Sequence, residues 1–276
     1  MMFIPKRVSM LILKLLIIFS ILVLVMYVIQ RSLLFIPTKL TLAGVQKSAA
    51  ACGLELWPAS DMSYLGLMSS AGKAQYTNGT IIVFQGNAGC ALDRSFYADA
   101  LTPLGYRVIL FEYPAYGARS GAPGEKPIVD SAREAVKTAR AMFGGPLYLW
   151  GESLGAGVAC STLKGIESDI AGVVLLTPWD NLPDLAQSIY WFLPAKWLIR
   201  DKFNNAYNIR DYKGPVAVIM ADADATIPNR FTLKLYDSIK TRKMFHKFEN
   251  AGHNDWPSAP GEQWWKDVSM FISGRK

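Results

Sequence analysis

From residue 54 onward the chain alternates short, β-rich apolar runs with longer stretches of helical character. "TIIVF" at 80–84 predicts a buried strand, followed by the polar turn "QGNAGC" and a helical segment through Leu104. "YRVILFEY" at 106–113 predicts the next strand, and its continuation "PAYGARSGAPG" reads as loop. Residues 127–143 predict a helix with Pro127 at its opening, where the missing N–H costs nothing. "LYLW" at 147–150 is a strand with a helix opening at Leu154. "AGVVLLT" at 171–177 and "PVAVIMA" at 215–221 are two more strands. A helix near 229–240, the strand "MFHKFE" at 244–249 and a terminal helix from about Pro260 complete the series. Strands that are apolar on both faces and separated by helices predict an α/β fold whose mostly parallel sheet is covered on both sides. Such sheets place ligand chemistry at the carboxyl ends of their strands. The interruption at 181–213 contains "IYWFLPAKWLI", longer and more aromatic than a simple crossover. It fits a small cap over a site and an ordinary helix packed on the sheet equally well.

The amino terminus has a different pattern. Residues 15–29, "LLIIFSILVLVMYVI", are apolar except for Ser20, and adding 11–13 across Lys14 gives nineteen residues. That is close to the ~20 residues that cross a hydrocarbon layer as a helix, with Lys14 placed near one end to snorkel. A cleaved signal peptide would need small residues just after the apolar stretch, but the chain reads "QRSLLFIP", and "TLAG" at 41–44 comes too late. An uncleaved transmembrane anchor is therefore expected. Lys6, Arg7 and Lys14 against Arg31 and Lys39 point its short end to the cytoplasm and the bulk of the chain to the non-cytoplasmic side.

Charge adds little beyond this. Of the net charge of +7, five basic residues and no acidic ones fall within 1–40, so the remainder is nearly balanced. No basic stripe is left to follow a phosphate backbone, and nucleic acid is not expected as a partner. Cys52, Cys90 and Cys160 match no metal motif, their odd number leaves at least one thiol free, and Cys160 reads as a small core residue.

The candidate chemistry begins at "GESLGAG". G-x-S-x-G occurs by chance in about one chain in ten of this length, so its surroundings must decide. Ser153 directly follows a predicted strand and opens a helix, the strand–turn–helix setting of a nucleophile elbow. Gly151 and Gly155 keep the positions two residues away small, so that strand and helix can approach. A serine hydroxyl needs a neighbouring base, and the chain has two histidines. His246 lies inside the strand "MFHKFE", whereas His253 sits in the loop "AGHND" just after it and is the expected base. The imidazole needs an acid to fix its tautomer. Asp224 in "DADATIP" is preferred to Asp222, which ends the strand, with Asp180 in "TPWDN" as an outside candidate. The expected oxyanion donors are the backbone N–H groups of Leu154, from the elbow, and Asn87, from "FQGNAGC". That loop lacks both G-K-[ST] and G-x-G-x-x-G, so a phosphate cradle is a weak reading.

Taken in order, "FQGNAG", "EYPAYGARSG", "GESLGAG", "TPWDNL", "DADATIP" and "AGHND" resemble successive blocks of the α/β-hydrolase superfamily. The anchor followed by "LLFIP" resembles its single-span, membrane-anchored branch of serine hydrolases. The resemblance implies residues 1–35 as anchor and flanks and 36–276 as an α/β-hydrolase catalytic domain, with a possible small cap at 181–213. It further implies hydrolysis through an acyl-enzyme, a small-molecule or lipid-like acyl substrate, no metal and no organic cofactor. Two departures stand out: Gln85 replaces the usual His, and "PAYGA" replaces a glycine-richer version. Esters and thioesters lead; an aminopeptidase-like enzyme and an inactive membrane-bound binding domain are the alternatives. Neither the oligomeric state nor the exact substrate is legible at this level.

Overall fold

The computed structural model describes residues 6–58, 64–70 and 76–275. Residues 1–5 of the expected anchor, and residues 59–63, 71–75 and 276 of the expected catalytic domain, lie outside the described residues. Among the described residues, eight strands form the main sheet: β1 (Leu54–Trp57), β2 (Gly66–Ser69), β3 (Thr80–Phe84), β4 (Arg107–Phe111), β5 (Leu147–Glu152), β6 (Ile170–Leu176), β7 (Val216–Ala221) and β8 (Lys243–Phe248). Their spatial order is β1-β2-β4-β3-β5-β6-β7-β8. The pairs β1–β2 and β2–β4 are antiparallel and all others parallel.

The parallel strands alternate their side chains between two cores, as a period of two on a doubly covered sheet requires. Ile82 and Phe84 of β3, Leu147 and Leu149 of β5, and Val173 and Leu175 of β6 pack on one face. There they meet α4 (Glu125–Phe143), α5 (Leu154–Leu163) and α9 (Asn229–Ser238). Ile81, Val83, Tyr148, Trp150, Val174 and Leu176 point the other way. They pack on α2 (Leu42–Ala51), α3 (Phe96–Leu101) and α10 (Glu262–Ser273). Trp150 and Trp265 stack with ring centroids 5.6 Å apart, so this second core is largely aromatic.

The expected strands and helices are found within a few residues of their places, with instructive differences. Helix α4 starts at Glu125, two residues before Pro127. Proline is tolerated there because the first-turn N–H groups have no acceptor within the helix. The strand expected at 106–113 ends at Phe111, which releases Glu112 and Tyr113 into the loops behind the site. "TLAG" opens α2: the Thr41 hydroxyl accepts a hydrogen bond from Gly44 N–H at 3.1 Å and caps the helix.

The amino-terminal segment is one continuous helix, α1 (Lys6–Leu34), and residues Arg7–Leu34 are long and apolar enough to cross a membrane. Its apolar side chains from Val8 to Leu22 are exposed, whereas its last turns rest on the rest of the chain. The segment between β6 and β7 carries three short helices, α6 (Leu182–Ile189), α7 (Ala195–Leu198) and α8 (Asn205–Ile209).

Candidate active site

Ser153 sits between β5 and α5 with φ 52° and ψ −112°, a left-handed conformation that L side chains rarely adopt. Such a residue costs about 1–3 kcal/mol and persists only where its surroundings dictate it. The surroundings here are two close backbone approaches. A Cβ on Gly151 would lie 2.3 Å from Gly155 O, and one on Gly155 would lie 1.9 Å from Phe84 O. Any side chain at either position would push α5 away from β3 or β5. Ser153 N–H donates to Leu176 O at 2.9 Å, which ties the turn to the end of β6. Every residue of α5 is buried, so the helix that starts at the serine has no freedom to shift.

The loops after β7 and β8 bring the other two side chains to this turn. His253 Nε2 is 2.9 Å from Ser153 Oγ, and His253 Nδ1 is 2.7 Å from Asp224 Oδ2. Ionised carboxylates only accept, so Nδ1–H donates to Asp224, leaving the Nε2 lone pair to accept the serine proton. Asp224 is itself held, since its Oδ1 accepts from Thr226 N–H and Ile227 N–H, both at 2.8 Å. The other acids point elsewhere. Asp222 Oδ1 faces Lys247 Nζ at 3.5 Å, and Asp180 Oδ2 pairs with Lys234 Nζ at 2.6 Å. The second histidine, His246, packs among Phe248 and Trp264, and partial burial lowers its pKa. The structure thus joins Ser153, His253 and Asp224 and leaves Asp222, Asp180 and His246 outside.

Asn87 and Leu154 line the same cavity as Ser153 and His253. Leu154 is the first residue of α5, where N–H groups have no acceptor within the helix and the helix dipole favours negative charge. Asn87 is braced from three sides. Its carbonyl accepts from Ile36 N–H at 2.9 Å and from the Tyr116 hydroxyl at 2.6 Å, and its side-chain amide donates to Leu34 O at 2.9 Å. Residues Ile36–Pro37 pair in parallel with Ala88–Gly89, so the chain leaving α1 forms a short two-stranded ribbon with this loop.

Behind the loop lie charged residues that sequence reasoning missed. Arg94 makes a bidentate ion pair with Glu152, Nη2 to Oε1 at 2.9 Å and Nε to Oε2 at 3.1 Å. Glu152 immediately precedes the serine, and its Oε1 would lie 3.2 Å from a Cβ on Gly86, so the pair sits directly under the loop. Glu112, 1% exposed, accepts from Ala91 N–H at 3.1 Å and from Gln85 Nε2 at 3.3 Å. Burial outweighs these donors and raises its pKa to about 8. The signal in the sequence was a carboxylate directly abutting an apolar strand, "ILFEYP".

The cavity beside Ser153 has a volume of about 370 Å³. Its floor is Ser153, Leu154, Asn87 and His253; one wall is the β6–β7 segment, including Leu185, Ile189 and Leu198. The other wall is α1, through Met26, Tyr27, Gln30, Leu33 and Leu34. Sequence reasoning had assigned this helix to the membrane alone.

An open, mostly parallel sheet in this strand order, with a strained serine on the strand–helix turn after β5, is the α/β-hydrolase fold. Residues 79–206 match the family described as alpha/beta hydrolase fold. Among curated proteins, an uncharacterized protein of Mycobacterium tuberculosis is 29% identical over 202 residues, covering 70% of this chain and 69% of that one. Lysophosphatidylserine lipase ABHD12 of Macaca fascicularis is 29% identical over 188 residues, 61% of this chain and 47% of the lipase. The match therefore spans about half the length of the lipase relatives. Among solved structures, a Pyrococcus furiosus esterase superposes with a TM-score of 0.65 at 17% identity, over 88% of this chain and 98% of the esterase. A monoacylglycerol lipase of Paleococcus ferrophilus gives 0.55 at 18% identity, over 74% of this chain and 97% of that one. These two likenesses establish the fold.

Proposed function

We propose that the protein is a membrane-anchored serine hydrolase that cleaves acyl esters or thioesters through an acyl-enzyme. The observation that carries this reading is the continuous hydrogen-bonded series Asp224–His253–Ser153 at the floor of an apolar cavity. In the first half-reaction His253 Nε2 takes the Ser153 proton as Oγ attacks the acyl carbonyl carbon. The tetrahedral oxyanion is held by the N–H groups of Asn87 and Leu154, donors aimed where the charge develops. His253 then returns the proton to the leaving alcohol or thiol, and the acyl–Ser153 ester remains. Water repeats the sequence, with His253 as base, to free the acid. Asp224 stabilises the imidazolium that forms at each step and keeps its own negative charge throughout.

The substrate class is supported by the walls of the cavity, in which aliphatic and aromatic side chains predominate. The similarity to lysophosphatidylserine lipases agrees with that lining. The β6–β7 segment, residues 181–213, acts in this reading as a small cap over the acyl group. The amino-terminal helix holds the domain at the membrane, with the domain on the non-cytoplasmic side.

The test is a substrate survey with the full chain and its Ser153→Ala variant. Acyl esters and acyl thioesters should be turned over by the wild type alone. Turnover of peptide amides with no ester or thioester activity would replace this reading by that of a peptidase.

A further inference from the structure

The helix taken as an anchor is also a wall of the active-site cavity, and this fixes where the cavity lies relative to the membrane. The α1 residues lining it, Met26, Tyr27, Gln30, Leu33 and Leu34, recur at the three- and four-residue spacings of one helical face. They cover about 12 Å of helix at 1.5 Å per residue. The uninterrupted apolar run ends at Ile29. The cavity wall therefore starts inside the apolar run and ends beyond it, at the depth of a bilayer's interface.

The β6–β7 segment is locked to the same depth. Gln30 Nε2 donates to Leu198 O at 3.3 Å, and Gln30 Oε1 accepts from Arg200 N–H at 2.8 Å. The next residue, Arg31, forms a bidentate pair with Asp201, both contacts at 2.9 Å, and Asp201 also accepts from Glu125 N–H at 2.8 Å. The segment therefore moves with α1.

The outward side of this segment is unlike the rest of the surface. Outside α1, every exposed aromatic side chain among the described residues falls here: Trp191, Phe192, Trp197 and Tyr207. Trp191 and Trp197 are 78% and 79% exposed, and neither lines the cavity. Indole rings favour the membrane–water interface, where the ring is buried and the N–H stays wet. Between Trp191 and Lys202 the exposed charges are Lys196, Arg200 and Lys202, all positive; Lys196 is paired with the half-buried Asp184 at 2.6 Å, and the acidic Asp201 is buried against Arg31. A basic and aromatic face beside a membrane-crossing helix complements a bilayer whose surface carries anionic headgroups.

We propose that the outer face of the β6–β7 segment, led by Trp191, Phe192 and Trp197, seats in the interface of the same membrane that α1 crosses, so that acyl substrates reach Ser153 sideways from that leaflet along α1. This rests on the reading of α1 as a span and of Ser153 as the nucleophile. The lipid class it favours is a single-chain ester. Such a molecule can slide its chain between α1 and the segment while its ester group stays level with the interface.

The experiment uses the full chain in phosphatidylcholine vesicles with and without phosphatidylglycerol, comparing wild type with Trp191→Ser/Trp197→Ser. Three quantities are read: turnover of water-soluble p-nitrophenyl acetate, turnover of a long-chain monoacylglycerol held in the vesicle, and quenching of tryptophan fluorescence by brominated lipid. The soluble ester should change by less than about twofold, while the vesicle-borne ester should fall by about tenfold or more, reflecting lost interfacial area. Brominated lipid should quench the wild type more than the variant, and phosphatidylglycerol should enhance the difference. Equal quenching in both proteins, or an equal loss on both esters, would overturn the proposal. A shift from dimer to monomer in detergent with no change in quenching would assign the face to a second copy and would overturn it too. Failure of the catalytic reading looks different: Ser153→Ala would keep wild-type turnover of p-nitrophenyl acetate, while the quenching still reports the surface.

Discussion

The Arg94–Glu152 pair supplies a quantitative test of how the turn at Ser153 is held. The two side chains are 18% and 12% exposed, so solvent screens them little. At a charge separation of about 4 Å and an effective dielectric near 20, their attraction is about 4 kcal/mol, much of it offset by the loss of hydration. Removing one partner leaves the other charge buried and unpaired, which costs about 3–5 kcal/mol. Glu152→Ala adds a further loss, because the fully buried Tyr97 hydroxyl, which donates to Glu152 Oε2 at 3.4 Å, loses its acceptor. Burial raises the Tyr97 pKa, so this hydroxyl stays protonated and needs that acceptor. A loss of 3 kcal/mol in a domain of this size lowers Tm by about 6–12 °C. Arg94→Met/Glu152→Leu replaces the pair by apolar groups and should recover all but about 1–2 kcal/mol, most of the remainder belonging to Tyr97. The cycle is read by thermal unfolding in detergent, with ester turnover measured alongside. In the cycle closed by Arg94→Met and Glu152→Leu, the two single losses should exceed the double loss by about 4 kcal/mol or more. Turnover should stay depressed in the double variant, because the loop at Gly86 loses the carboxylate against which it rests. Additive losses, or single variants that melt within 2 °C of wild type, by the same conversion, would refute the argument.

Three further outcomes follow from the same geometry. Asp224→Asn should lower kcat by about four orders of magnitude with folding retained, since the amide no longer holds the productive tautomer, and steady-state kinetics should show Asp222→Asn near wild type. Glu112 has a folded-state pKa of about 8 against an ordinary 4.5. The stability tied to its protonated form is therefore full below pH 4.5 and lost as the pH rises toward 8, so Glu112→Gln should flatten the decline in Tm across that window. Gly155→Ala places a methyl group 1.9 Å from Phe84 O, which backbone movement alone can relieve. It should cost about 3 kcal/mol or more in chemical denaturation, together with most of the activity.

What the sequence disclosed was local. Ser153 is fenced by glycines at the end of an apolar run, His253 stands in a polar loop, and Asp224 follows a buried strand, so each carried its own signal within a few residues. The parallel strands were equally legible, because β3 to β7 are apolar on both faces. Strands β1 and β2 were not: four residues each, with Glu55 facing solvent, they give too short and too mixed a pattern to stand out from a loop. Also hidden were contacts between distant positions. Arg94 and Glu152 are 58 residues apart, and Arg31 and Asp201 are 170 apart. Nothing in the run "LVMYVIQRSLL" distinguishes a helix that only crosses a membrane from one that also walls a cavity. That face became visible once the β6–β7 segment was seen packed on it.

The central claim is that Ser153 is the nucleophile activated by His253. Labelling the 276-residue chain with a fluorophosphonate, followed by peptide mass mapping, tests this directly. A single stoichiometric adduct on Ser153 is expected, lost in Ser153→Ala and strongly slowed in His253→Ala, with both variants folded. A well-folded wild type that takes up no label, or an adduct that persists in Ser153→Ala, would contradict it.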